Sequence, residues 1–169
     1  EEPWRIHTVG ALGIESLLAE AIIPRSAFYK EFGLPENKPF LLAMFHPIHL
    51  EPEKAGAEMD ELLAALCELA LPTILLFPNN DAGNEAIIAR IEAVRKWPFL
   101  KIYRSLPHDR YANVLRYAGA MVGNSSSGII EAPIFRVPVV TIGKRQETRP
   151  QAGNVINVPP LRANIIRAL

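Results

Sequence analysis

Short runs of apolar residues alternate along the chain with longer stretches in which apolar residues recur every three or four positions. The short runs predict strands over 5–9, 40–45, 73–77, 100–104, 120–122, 137–142 and 155–158, seven at most. Between them, Ala55, Met59, Leu62, Leu63, Leu66 and Leu69 fall on one helical face. So do Ile87, Ile88, Ile91 and Val94, and then Tyr111, Val114, Leu115 and Ala118. Near-continuous apolar strands joined by helical crossovers predict the α/β class, as a Rossmann-like, doubly wound parallel sheet with right-handed connections. Pro72 is placed to stop one helix, Asp81 to cap the next and Pro98 to end it. No repeat or low-complexity tract interrupts the alternation, and 169 residues suit a single domain over 1–169.

Composition narrows the choice of partners. Eighteen basic and eighteen acidic residues cancel, which argues against a nucleic-acid groove or a broad contact with an anionic membrane. An anion would have to be held locally. A single cysteine, Cys67, excludes an internal disulfide and a multi-thiolate metal site, suits a reducing, cytoplasmic setting, and reads as a residue flanking the core. No apolar run reaches the roughly 18 residues of a membrane span. The chain opens on Glu1-Glu2-Pro3-Trp4 and stops at Leu169 inside a helical period, so a piece of a longer protein is expected.

In such sheets ligands bind beyond the carboxyl ends of the strands, so the segments that matter are 10–13, 46–51, 78–83, 105–109, 123–131 and 143–149. The richest is Gly123-Asn124-Ser125-Ser126-Ser127-Gly128-Ile129-Ile130-Glu131, a strand end running into small hydroxyl residues and a short helix. Its N–H groups, the helix dipole and the hydroxyls of Ser125 and Ser126 suit phosphate, Gly128 permits close approach, and Arg145 supplies a guanidinium fork. Alternatively, Ser126 or Ser127 simply caps the helix, which Pro133 keeps short or kinked. Glu131 is placed to face the same crevice and accept hydrogen bonds from a ribose diol, or is a solvated first-turn acid. His46, at a rigid junction before Pro47, can donate to a diphosphate, act as acid or base, or be a structural histidine. His49 lies nearby, but no further ligands stand at metal-binding spacing, so no metal is expected. Asn79 points toward the crevice beside the capping Asp81. Asn124-Ser125-Ser126 matches a glycosylation acceptor that is expected to be idle. Gly10-Ala11-Leu12-Gly13 falls short of a dinucleotide fingerprint, and no P-loop is present.

Phe45-His46-Pro47, the segment from Phe77 to Gly83, the segment from Gly123 to Pro133, and Gly143-Lys144-Arg145-Gln146 with Gly153-Asn154-Val155 together resemble the hydrolysing UDP-N-acetylglucosamine 2-epimerases. The resemblance spans most of the chain. It implies a glycosyltransferase-B-like enzyme of two Rossmann domains, of which this is the carboxyl-terminal, nucleotide-binding half, with no cofactor. It further implies that His46 contacts the UDP diphosphate or assists its departure, Ser125 and Ser126 bind phosphate, and Glu131 holds the ribose hydroxyls. Arg145 then lies against the nucleotide, while Asn79 and Leu106 line the uridine pocket. Such enzymes remove the C2 proton of the sugar, eliminate UDP to leave a 2-acetamidoglucal, and hydrate it to N-acetylmannosamine for sialic-acid-like sugars. The carboxylates credited with that proton chemistry belong to the amino-terminal half, and the fragment alone is expected to be inactive. UDP or UDP-N-acetylglucosamine and the missing half are the implied partners, and apolar surface left by that half favours self-association, a homodimer included. Arg136 stands where the family places Gly. Glu85 stands where a feedback site for CMP-sialic acid uses a basic side chain, so that feedback is not expected. A related UDP-diacetamidosugar 2-epimerase, a glycosyltransferase of the same architecture and a non-catalytic binding domain remain alternatives.

Overall fold

Short strands and intervening helices assemble one sheet, seen in a computed structural model that describes residues 2–169. The strands are β1 Leu41–Met44, β2 Thr73–Leu76, β3 Leu100–Tyr103, β4 Ala120–Gly123, β5 Val139–Ile142 and β6 Val155–Val158. All pair in parallel, in the order β3-β2-β1-β4-β5-β6, the doubly wound order expected of a Rossmann sheet. The order reverses between β1 and β4, where Met44 stands opposite Gly123. The crevice beyond those two residues is the topological switch point.

Helices α1 Gly13–Ala19, α2 Arg25–Glu31, α3 Ala55–Leu69, α4 Asn84–Ala93, α5 His108–Tyr117, α6 Ser127–Ile130 and α7 Arg162–Ala168 cover both faces. Side chains of a strand alternate, so each strand feeds two cores. Leu41, Ala43, Phe45, Leu75, Val122, Val140 and Ile142 pack with Met59, Leu62, Leu66, Ile87, Ile91 and Ile165 of α3, α4 and α7. Leu42, Ile74, Leu76, Met121 and Val139 pack with Phe28 and Tyr29 of α2 and Val114 and Leu115 of α5. Each fully buried Leu, Ile or Phe contributes about 1.5–3 kcal/mol, so burial on two faces fixes the strands more firmly than their propensity does.

Four sequence expectations need correction. The segment 5–9 forms no strand: Pro3–Arg5 is a short 3-10 turn, and Ile6 and Val9 remain 59% and 69% exposed. The sheet runs from β3 to β6 and the segment pairs with neither edge strand, so Gly10-Ala11-Leu12-Gly13 follows no strand either. Asp81 does not cap α4, whose N-cap is Gly83 in the left-handed region with no side-chain bond. Cys67 is exposed rather than core-flanking, being on the outer side of α3. Gly128 approaches no ligand space: a Cβ there would stand 2.8 Å from Val139 Cγ1, so the glycine lets α6 lie against β5.

Pro72 follows α3 by two residues, after Ala70 has already ended the helix in a left-handed conformation. Arg136, where the resemblance places Gly, likewise adopts φ 57, which explains why a residue without Cβ suits the position. No described helix is long and apolar enough to cross a membrane.

Candidate functional site

The site is built outward from the last residue of β4. Gly123 has φ +137, and a Cβ there would stand 1.8 Å from the carbonyl oxygen of Met44. The turn this permits lets the Asn124 N–H donate to Met44 O at 3.1 Å. It also buries the Asn124 side chain, which is 1% exposed. Asn124 Oδ1 accepts from the His46 N–H at 2.7 Å and Nδ2 donates to the His46 carbonyl at 2.8 Å. One amide thus continues the ladder between β1 and β4 past their ends and satisfies both backbone groups. Its own carbonyl accepts from Arg145 Nη1 at 3.2 Å and Gln146 Nε2 at 2.9 Å. Asn124 therefore ties together the loops leaving β1, β4 and β5. With its amide enclosed and both its oxygen and its nitrogen bonded to His46, the glycosylation match is structurally closed.

His46 is buried, and its Nδ1 accepts the Asn79 N–H at 3.0 Å. That bond assigns the ring proton to Nε2. Burial first, and the Arg145 guanidinium second, push the imidazole down to about 4, against a smaller opposing influence of Asp81. At neutral pH the group is an uncharged donor whose other nitrogen is already satisfied, which fits hydrogen bonding to an anion better than acid or base catalysis. The unfolded chain protonates this histidine near its ordinary 6.5 while the folded chain holds it neutral to about 4. Between those values the unfolded state binds more protons, so stability rises with pH; the contribution is complete above about 6.5 and gone below about 4. Urea denaturation of the wild type and His46→Gln across pH 4–7 checks this: the wild type should lose on the order of 2–3 kcal/mol more than the variant on acidification.

Beside Asn124, Ser125 is buried and Ser126 half-buried. The Ser127 N–H donates to Ser125 Oγ at 3.3 Å, which leaves the Ser125 hydroxyl proton free to donate outward. The N–H groups of Ser125 and Ser126 have no acceptor among the described residues. Ser126 makes no side-chain capping bond, so the reading of Ser126 or Ser127 as a simple cap is not met. The helix itself is one turn long and passes at once into the 3-10 segment Ala132–Phe135, with Pro133 inside it. A single turn has little dipole, so discrete donors must carry any anion affinity rather than the helix. Arg145, its side chain 23% exposed, brings Nη2 within 3.9 Å of Asp81 Oδ2. The same Asp81 oxygen accepts from Asn79 Nδ2 at 2.5 Å. The Asp81 carboxylate thus positions Arg145 and Asn79 where capping was expected.

Glu131 follows α6, half-buried, with Oε2 accepting from the Tyr111 hydroxyl at 2.9 Å. Tyr111 reaches from α5 to the end of β1, its oxygen 3.9 Å from Met44 Sδ. The hydrogen-bonded set therefore joins His46, Asn79, Arg145 and the Ser125-Ser126 loop directly, with Glu131 entering through Tyr111. Leu106 lines a cleft of about 610 Å³ with Phe32, Tyr103, Pro107 and Arg110, beyond β3. A second cleft, about 600 Å³, lies beyond β5 and β6 and is lined by Lys144, Glu147, Arg149 and Gln151. Sequence reasoning missed Asn124, Gln146 and Tyr111 as members of the site. Asn124 carried only the generic signal of an Asx residue after a strand, and Tyr111 the signal of a core-facing helix position.

Comparison with known proteins gives this geometry a context. The family described as UDP-N-acetylglucosamine 2-epimerase matches residues 1–169. The UDP-N,N'-diacetylbacillosamine 2-epimerase (hydrolyzing) of Legionella pneumophila is 32% identical over 158 residues, covering 94% of this chain and 42% of that protein. The UDP-N-acetylglucosamine 2-epimerase of Neisseria meningitidis is 31% identical over 175 residues, covering 100% and 44%. The polysialic acid biosynthesis protein P7 of Escherichia coli is 28% identical over 171 residues, covering 100% and 44%. The chain thus spans less than half the length of these relatives. Among solved structures, the S. aureus MnaA-UDP co-structure superposes with a TM-score of 0.73 at 16% identity, covering 99% of this chain and 44% of that one. The Methanocaldococcus jannaschii UDP-GlcNAc 2-epimerase in complex with UDP-GlcNAc and UDP gives 0.72 at 15% identity, covering 99% and 48%. The structural likenesses establish the fold as one Rossmann half of a glycosyltransferase-B-like architecture, and with the match over its full extent the chain belongs to the UDP-N-acetylglucosamine 2-epimerase family.

Proposed function

We propose that this chain is the UDP-binding half of a hydrolysing 2-epimerase that eliminates UDP from UDP-N-acetylglucosamine and releases N-acetylmannosamine for sialic-acid-like sugars. The observation that carries the reading is the convergence, through Asn124, of four donor groups at the switch point: His46 Nε2, the Arg145 guanidinium, and the N–H and hydroxyl groups of Ser125 and Ser126. A diphosphate held there gains negative charge as the C1–O bond breaks. Fixed donors in a partly buried crevice stabilise that charge without having to reorganise.

In this reading a base from the other half of the enzyme takes the C2 proton, the C–H electrons form the C1–C2 double bond, and UDP leaves with the bond electrons. Water then adds to the glucal, its oxygen to C1 and a proton to C2. His46 helps departure by donating a neutral hydrogen bond from Nε2, while Nδ1 stays bound to the Asn79 N–H. Glu131 accepts from the ribose hydroxyls, and Leu106 and Asn79 flank the base, Leu106 from the cleft beyond β3. The activity for which the Legionella relative is named favours a second substrate reading, a UDP-diacetamido sugar, with the same diphosphate contacts.

Calorimetric titration with UDP, and with uridine as control, tests the assignment. UDP is expected to bind and uridine to bind far more weakly. Arg145→Ala is expected to lower UDP affinity by about 1–3 kcal/mol, roughly 5- to 150-fold, as loss of a charge-assisted bond does. Equal affinity of wild type and variant would remove Arg145 from the site. In the full-length enzyme, free UDP and N-acetylmannosamine formed without an acceptor separate the epimerase from a glycosyltransferase.

A further inference from the structure

The Tyr111 ring is partly buried against the core that α5 covers, bulk that Phe would supply as well as Tyr. The hydroxyl is surplus to packing, and it is committed: it donates to Glu131 Oε2 at 2.9 Å. No Lys or Arg among the described residues lies within ion-pair distance of Glu131, so its only side-chain partner is this neutral phenol. A carboxylate with one oxygen held by a neutral donor leaves the other oxygen free to accept from hydroxyl groups. Glu131 stands one turn beyond the Ser125-Ser126 loop, its N–H bonded to the Ser127 carbonyl at 2.9 Å, so the orientation fixed by Tyr111 is defined relative to the phosphate donors.

We infer that Tyr111 is a positioning residue that orients the Glu131 carboxylate toward a vicinal diol, and so makes the site prefer a ribonucleotide to its dideoxy counterpart. The inference rests on the nucleotide reading above and adds to it a residue and a specificity. Burial first and the adjacent Glu131 charge second, against a smaller opposing hydrogen bond with the Ser127 side chain, push the phenol well above its ordinary range, so it stays protonated and donating at any physiological pH.

The test measures the affinities of UDP and 2′,3′-dideoxyuridine diphosphate for the wild-type chain, Tyr111→Phe, Glu131→Gln and the double variant, with thermal denaturation of each. The wild type is expected to prefer UDP. Tyr111→Phe is expected to weaken UDP three- to tenfold, to leave the dideoxy nucleotide unchanged, and to add nothing in the Glu131→Gln background. Equal losses for both nucleotides would make the Tyr111–Glu131 bond a staple between α5 and α6 and overturn the inference. So would unchanged affinity for both. A wild type that binds the two nucleotides equally overturns the diol contact while leaving the diphosphate reading intact. Absence of UDP binding at millimolar concentration overturns both.

Discussion

Gly123→Ala is expected to lose about 3–5 kcal/mol of stability, the sum of a backbone forced where L-residues rarely go and a collision in packed surroundings. The added Cβ would lie 1.8 Å from Met44 O and 2.7 Å from Met44 C, both backbone atoms of the central strand, so no side-chain rotation relieves it. Domains of this kind are stable by about 5–15 kcal/mol in total, and the variant should be largely unfolded in moderate urea. Gly153→Ala is the matched control: a Cβ there meets nothing within 4 Å, and its expected effect is within about 0.5 kcal/mol. Urea denaturation curves of the three proteins decide the matter, and a Gly123→Ala midpoint equal to that of the control would show that β1 and β4 do not approach as described.

Asn124→Asp is the second large effect, and it separates fold from function. The substitution preserves shape but puts an oxygen where Nδ2 donates to the His46 carbonyl, at a residue 1% exposed. A buried carbonyl loses its donor and a charge is buried beside it, at a cost of about 2–4 kcal/mol. The carboxylate escapes by protonation, and the acid O–H restores the missing donor. The deficit relative to wild type is therefore expected to narrow as pH falls from 7 to 4, opposite in sign to the His46 contribution. UDP affinity at pH 7 should fall more than tenfold, because the same residue places His46 and Arg145. A deficit independent of pH would mean that Asn124 serves only as bulk.

The fold was legible in the chain where burial repeats at short range. Six apolar runs became strands because a parallel sheet covered on both faces needs near-continuous apolar residues, as Leu41 to Ala43 and Val139 to Ile142 provide. The segment 5–9 has the same local pattern but no partner, and only the sheet's order reveals that. Helix α2 went unread because seven residues offer too little period, although its Phe28 and Tyr29 are fully buried against Phe40. In the site, residue types announced themselves while partnerships did not. Serines, an arginine and a histidine at strand ends suggest an anion, but nothing local says that Asn124 reaches residue 46, or that Asp81 turns from the helix start toward Arg145. Those contacts span 78 and 64 residues of sequence and exist only once the loops meet.

The central claim, that these loops grip a diphosphate, is tested most directly by amide and side-chain nitrogen NMR of the labelled chain titrated with UDP and with uridine. UDP should move the N–H signals of Ser125 and Ser126, the Arg145 guanidinium and His46 Nε2, whereas uridine leaves them in place. Shifts gathered instead around Lys144, Arg149 and Gln151, or none at millimolar UDP, would contradict it.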